Sequence, residues 1–275
     1  MSPTPVSPPV ALSIAGSDCS AGAGLQADLK AFSAAGVYGL TAVTCVVAEV
    51  PGHVSHIQPV EADVIAEQVR LLLAAFPVAA IKTGMLWSAE TIRFVAETMA
   101  ALPETTRPWL VVDPVMVATS GDSLIEDDAV AAYREALFPL ADLITPNMDE
   151  AAALLGRPIR EESELPEAAR ALAERLGAPV LLKGGHLQGE TALDVFQPRE
   201  PTGALGESVT FAAPYYHGVS THGTGCTYSA AIAAHLARGL PMVEAIAQAK
   251  TYITAAIGSI CRWGATDALN HSALA

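Results

Sequence analysis

Leu40-Thr41-Ala42-Val43-Thr44-Cys45-Val46-Val47-Ala48 is a nearly continuous run of β-branched and small apolar residues. A strand with one wet face alternates polar and apolar side chains, so this run reads as a strand covered on both faces. Strands of that kind belong to parallel sheets sandwiched between helices. Upstream, Val10 to Ala15 is a shorter β-type run that ends in Gly16-Ser17-Asp18, and Gly24 to Ala35 carries Leu25, Leu29 and Phe32 at helical spacing. Downstream, helices over Ala62 to Ala75 and Ala89 to Ala100 alternate with strands over Val78 to Ile81 and Trp109 to Val112. The alternation continues with a helix from Asp127 to Leu137, a strand from Asp142 to Ile144, helices from Glu150 to Leu155 and Leu165 to Leu176, and a strand from Val180 to Leu182. Ala192 to Phe196 and Ser208 to Phe211 read as a terminal antiparallel pair, and helices from Gly225 to Arg238 and Met242 to Ile260 close the chain. This order predicts an α/β fold whose mainly parallel sheet carries helices on both faces.

Bulk composition narrows the function. Of 275 residues 51% are hydrophobic and only 16% charged, and the formal charge is −14, so no basic surface for nucleic acid is expected. An anionic substrate must be met by local donors or a metal ion. Cys19, Cys45, Cys226 and Cys261 are scattered without metal-site spacing, which suits free thiols in a reducing cytoplasm. Met1 to Pro9 is rich in proline and lacks lysine or arginine, so it reads as a short disordered leader and not as a signal peptide. No apolar run has transmembrane length, so no membrane partner is expected. No composition break divides the remainder, and residues 10–275 are expected to form one domain.

Glycine and polar residues gather just after the strand ends: Gly16-Ser17-Asp18, Lys82-Thr83-Gly84, Asp113, Asn147 and Lys183-Gly184-Gly185. In open parallel sheets those carboxyl ends form the ligand crevice. Thr221-His222-Gly223-Thr224-Gly225-Cys226 adds a sharper signal, because a small apolar helix-forming run follows it at once. Two glycines bracket a threonine, and a thiol sits where a helix begins. Backbone N–H groups and the positive end of the helix dipole then converge beside the thiol, a setting suited to phosphate.

Other phosphate and nucleophile motifs fit less well. Gly22-Ala23-Gly24-Leu25-Gln26-Ala27 matches G-x-G-x-x-A, but Gly22 comes seven positions after Ala15, too far for the tight strand-to-helix turn of a dinucleotide site. No Walker A loop and no G-x-S-x-G elbow occurs. His222 as base for a hydrolytic Cys226 is poorly placed on so tight a turn.

Six ordered segments carry a resemblance: 15–30 (AGSDCSAGAGLQADLK), 82–86 (KTGML), 112–117 (VDPVMV), 145–147 (TPN), 183–186 (KGGH) and 221–227 (THGTGCT). Together they closely resemble the hydroxymethylpyrimidine/phosphomethylpyrimidine kinases of thiamine biosynthesis, in the ribokinase-like superfamily, from about Val10 to Ile260. The resemblance implies a single-domain ribokinase-like three-layer α/β/α fold. It implies ATP and Mg²⁺, a homodimer, and phosphorylation of 4-amino-5-hydroxymethyl-2-methylpyrimidine and then of its monophosphate.

Carried onto this chain, the resemblance gives Gly223, Thr224 and Gly225 the anion hole for the transferring phosphoryl group and makes Cys226 the base for the substrate hydroxyl. A helix N-terminus is expected to bring that thiol from roughly 8.5 toward neutrality. Asp113 and Glu150 are implied to hold Mg²⁺ through water, and Asn147, Lys183 and Thr221 to contact the nucleotide. Gly16, Asp28, Glu49 and Val115 are implied to line the acceptor pocket. His53 and His56 are expected on a flap, and Met116 to Asp122 resembles a second lid.

Two positions depart from the family pattern. Glutamine is usual where this chain has Glu49, and lysine is common where it has Thr119. An ionised carboxylate only accepts hydrogen bonds, so Glu49 opposite a neutral ring nitrogen loses a contact worth roughly 1–3 kcal/mol. Either the ring or Glu49 is then protonated, or the acceptor is a pyridine alcohol, as in a vitamin B6 (pyridoxal or pyridoxine) kinase. A catalytically silent nucleotide-sensing protein is the alternative outside enzymes.

Overall fold

The computed structural model describes residues 7–116, 128–185, 190–200, 202–219 and 222–273. Among these, nine strands form one mixed sheet in the order β3-β2-β1-β4-β5-β6-β7-β8-β9. The strands are β1 (Val10–Asp18), β2 (Tyr38–Val50), β3 (His53–Pro59), β4 (Val78–Thr83), β5 (Trp109–Val112), β6 (Leu143–Ile144), β7 (Val180–Lys183), β8 (Thr191–Gln197) and β9 (Val209–Pro214). From β2 to β7 all neighbours pair in parallel, while β3, β8 and β9 attach antiparallel at the two edges. The strand order reverses between β1 and β4, the switch point where a crevice opens beyond the carboxyl ends.

Alternation along each strand sorts the two faces. Leu12, Ile14, Ile81, Leu110 and Val112 join one core cluster, under α2 (Ala62–Ala75), α3 (Ala89–Ala101), α5 (Met148–Leu155) and α6 (Leu165–Leu176). Ala11, Ala80, Val111, Leu143 and Leu181 join the other, under α1 (Gly24–Ala34), α7 (Thr224–Ala237) and α8 (Met242–Gly258). The second face is rich in alanine on both partners, so α7 sits close against the strands. Its run from Thr227 to Leu236 is buried on every side. In α6 the buried Leu165, Ala168, Ala169, Leu172, Ala173 and Leu176 follow the helical repeat, and Gly177 at φ +74° ends it in the left-handed conformation.

The structure adjusts the expectations at several elements. β2 is covered on both faces only in part: Val46 is 52% exposed, and beyond Val47 the strand pairs with β3 alone. His53 and His56, expected on a flap, lie on β3, the edge strand of the β2–β3 ribbon. The helix expected from Asp127 to Leu137 is a short α4 (Ala129–Ala132) that loosens into a π turn over Tyr133–Leu137. The last helix, expected to reach Ile260, ends at Gly258, and a small hairpin, β10 (Cys261–Trp263) with β11 (Thr266–Ala268), follows it. Residues 1–6 of the expected leader and 117–122 of the expected second lid lie outside the described residues.

Candidate active site

One cleft of about 530 Å³ runs along the carboxyl edge of the sheet. Gly16, Val47, Glu49, Met85 and Val115 line it near β1, β2 and β4, while Tyr215, Tyr216, Ile253 and Ile257 line it beyond β9 and along α8. Sheet order places these groups far apart, with Asp113, Asn147, Glu150, Lys183 and the first turn of α7 between them.

The α7 turn is shaped by two glycines. Gly223 precedes the helix at φ +78°, and a Cβ there would overlap the Gly22 carbonyl. Gly225 lies directly over an ion pair, because a Cβ added to it would sit 3.1 Å from Lys183 Nζ. The first N–H groups of the helix have no partner within it and open into the cleft. Thr224 Oγ1 is buried and finds no hydrogen-bond partner among the described residues. An oxyanion at this turn would satisfy both.

Beneath the turn, charges alternate in sign. Lys183 Nζ donates to Asp113 Oδ1 at 2.9 Å, and Thr145 and Ser229 hydroxyls donate to the same carboxylate. Burial alone would raise the Asp113 pKa, but Lys183 and then Lys82 outweigh it and hold the group ionised. Asn147 caps α5 through Oδ1, which accepts from the Glu150 N–H, while Glu150 Oε2 accepts from the Asn147 N–H at 2.8 Å. Burial pushes Glu150 up to about 8; Lys183 opposes this and Asp113 adds to it.

Lys82 was not assigned a role from the sequence. Its ammonium is fully buried and donates to both Asp28 oxygens at 2.9 Å, and the Ser13 hydroxyl donates to the same carboxylate. Ser13 and Lys82 are register partners on β1 and β4, which places both under α1. Asp28 is therefore a correction. It is fully buried, does not line the cleft, and holds Lys82 where a substrate contact was expected.

Cys226 is a second correction. Its side chain reaches the cleft, yet its thiol is pushed up to about 11. Burial is the main cause; Lys82 pulls the value down, while Asp28 and Asp113 add to the rise. The helix N-terminus does not bring it to neutrality, because burial disfavours the thiolate and the two nearby carboxylates add to that. Every other site residue named from the sequence lines the cleft, except Thr221, which lies outside the described residues. Asp18 and His222 were missed as a pair: His222 Nε2 lies 2.9 Å from Asp18 Oδ2 across 204 positions. Only the fold joins them.

The description of the phosphomethylpyrimidine kinase family matches residues 18–270. The chain belongs to this family. It is 44% identical to the hydroxymethylpyrimidine/phosphomethylpyrimidine kinase of Rhizobium meliloti over 92% of each chain. Among solved structures, the ADP complex of Bacillus subtilis pyridoxal kinase superposes with a TM-score of 0.86 at 38% identity, over 98% of this chain and 99% of that one. A phosphomethylpyrimidine kinase from Clostridium difficile 630 superposes at 0.74 with 35% identity, over 89% and 97%. The fold is thus ribokinase-like, and the chain is a phosphotransferase of the thiamine-biosynthesis pyrimidine kinase family.

Among the described residues, no group of three or more His, Cys, Asp or Glu side chains is placed to hold a metal ion. Asp113 and Glu150 nevertheless fit a magnesium ion bound through water. Mg²⁺ keeps several waters and takes one or two carboxylates together with substrate phosphates. The high Glu150 pKa marks a buried carboxyl that a dication would ionise.

Proposed function

We propose that this cleft binds ATP with its phosphates over the α7 turn and transfers the γ-phosphoryl group to 4-amino-5-hydroxymethyl-2-methylpyrimidine, and then to the monophosphate. One observation carries the reading: the glycine-flanked helix start, the Lys183 ammonium and the Cys226 thiol face one cleft whose β1–β2 end is lined by Glu49. Phosphoryl transfer asks for positioning and charge stabilisation more than for covalent chemistry. The N–H groups of the α7 turn hold the equatorial oxygens, and Lys183 neutralises charge at the phosphates. Asp113 and Glu150 would hold Mg²⁺ through water, and the ion would supply positive charge to the phosphates.

Cys226 accepts the hydroxyl proton as a thiolate. With its pKa at about 11, that form is a minor species at neutral pH. The proton moves late in a loose transition state, which limits the basicity required. Lys82 favours the thiolate from below. Toward the acceptor, burial and then the neighbouring Asp18 raise the Glu49 pKa, with His222 opposing. A Glu49 that keeps its proton offers the donor and acceptor of an amide and suits an aminopyrimidine edge. A cytoplasmic homodimer belongs to the same reading. Exposed Val46 and Val50 on the β2–β3 ribbon support it, and a sedimentation mass of twice the chain checks it.

ADP release with ATP and Mg²⁺ tests the reading. The pyrimidine alcohol and its monophosphate are expected to turn over faster than pyridoxal. Faster pyridoxal phosphorylation overturns the acceptor, and no ADP with any alcohol overturns the activity.

A further inference from the structure

The glycine motif at residues 22–24 remains without a role once dinucleotide binding is set aside. Its position in the fold supplies one. Asp18, the last residue of β1, gathers the following loop around its carboxylate: Oδ2 accepts from the Ala23 N–H at 2.7 Å, the Gly22 N–H at 3.1 Å and the Ser20 hydroxyl at 2.9 Å. Oδ1 accepts from the Ser20 N–H at 2.7 Å. The same Oδ2 meets His222 Nε2 at 2.9 Å, and His222 immediately precedes the turn that starts α7.

Two further contacts join these loops. The backbones of Gly22 and Gly223 are so close that a Cβ on Gly223 would overlap the Gly22 carbonyl. A Cβ on Gly22 would in turn sit 2.8 Å from the His222 ring. Finally, the Gly24 N–H, at the start of α1, lies within reach of the Cys226 sulfur and favours its charged form. The N-termini of α1 and α7 therefore converge on one sulfur, and the Asp18–His222 contact ties them at the rim.

We propose that Asp18 and His222 are positioning residues that dock the 18–24 loop onto the α7 turn and so hold the Gly24 N–H against the Cys226 sulfur. The loop builds the wall against which the anion hole and the reacting thiol are set. Burial works to raise the Asp18 pKa, but the hydrogen bonds from His222, Ser20 and Ala23 pull it to about 2, so the carboxylate is ionised throughout the working range. Lys82, Asp28 and Asp113 also act on Cys226 and are untouched by changes at the rim.

The proposal rests on the kinase reading for its effect on rate but not for its effect on the thiol. Asp18→Asn, His222→Ala, His222→Gln and the double variant Asp18→Asn/His222→Ala are compared with the parent. The readouts are kcat, both KM values, the thermal midpoint and peptide-resolved iodoacetamide alkylation of Cys226 across pH. Asp18→Asn and His222→Ala are each expected to lower kcat about tenfold or more with KM changed less than about threefold. The double variant should be little worse than Asp18→Asn alone, since the His222 change then removes a contact already lost. His222→Gln retains a donor at the Nε2 position and should recover most of the loss. The alkylation profile of Cys226 should move up by roughly one pH unit in the two disrupting single variants, with the thermal midpoint nearly unchanged in His222→Ala and lowered in Asp18→Asn, which also weakens the loop bonds to the carboxylate. An unmoved alkylation profile, or losses that multiply in the double variant, overturns the proposal. A moved profile in a protein that phosphorylates no alcohol instead supports the docking role and sinks the kinase reading.

Discussion

At the residue scale, Glu49 decides what the acceptor pocket recognises. A glutamine there supplies one donor and one acceptor, whereas an ionised glutamate supplies only acceptors. Burial first, and then Asp18, raise the Glu49 pKa, and His222 alone works against them. A raised carboxyl pKa means that the proton is kept at low pH and lost as pH climbs. The parent enzyme should therefore bind the pyrimidine alcohol best on the acid side, with its KM rising as Glu49 ionises. Glu49→Gln should flatten that rise and give an equal or higher kcat/KM at pH 8. Steady-state profiles of the two proteins across pH check this. A glutamine variant that is uniformly worse would show that the charged carboxylate makes the contact, which favours a protonated, more basic ring. Thr119 cannot be weighed in the same way, since it lies outside the described residues.

At the element scale, legibility followed the period of the side chains. Helices with one apolar stripe were bounded to the residue: α6 was read as Leu165 to Leu176 and α2 as Ala62 to Ala75, and both are observed so. β3 was missed because His53-Val54-Ser55-His56-Ile57-Gln58-Pro59 is a largely exposed edge strand, which has no buried face to impose a pattern. The site was legible where a motif is contiguous, as at Gly223 to Cys226. It was not legible where the contact is long-range, as for Lys82 with Asp28 or Asp18 with His222, since a charge carries no mark of its future partner. The sign of the Cys226 shift failed for a related reason: the helix end could be read, but the burial of the thiol, and after it the nearby Asp28 and Asp113, could not. The α7 start is the element that joins fold and chemistry, and Gly223→Ala tests it. The left-handed φ of +78° costs an alanine roughly 1–2 kcal/mol, and its Cβ has no room beside Gly22. Activity should fall about a hundredfold or more as the turn N–H groups are re-aimed, with a lower thermal midpoint in calorimetry. Normal kcat in that variant would remove the turn from the mechanism.

At the scale of the whole molecule, the parallel sheet concentrates buried charge at one edge, and stability there is given up for function. Lys82–Asp28 and Lys183–Asp113 are paired, but Glu150 shares Lys183 with Asp113 and is the member left with a raised pKa. Unfolded, its carboxyl titrates near 4.3; folded, burial moves it to about 8. Between those values the folded chain binds more protons than the unfolded chain, so stability falls as pH rises from about 4 toward 8. Glu150→Gln keeps an acceptor for the Asn147 N–H and removes the titration. Its thermal midpoint should match that of the parent near pH 4 and exceed it by about 2–4 °C or more at pH 8. Turnover should move the opposite way, because an amide cannot balance a dication as a carboxylate does. Added Mg²⁺ with ATP should accordingly raise the midpoint of the parent more than that of the variant at pH 8, since binding there supplies the charge that Glu150 lacks when ionised. Scanning calorimetry at both pH values, with and without Mg²⁺ and ATP, separates the outcomes. A variant no more stable than the parent at pH 8 would mean that Glu150 is not under strain in the free enzyme. A variant with the full Mg²⁺-dependent rise would mean that Asp113 alone holds the ion.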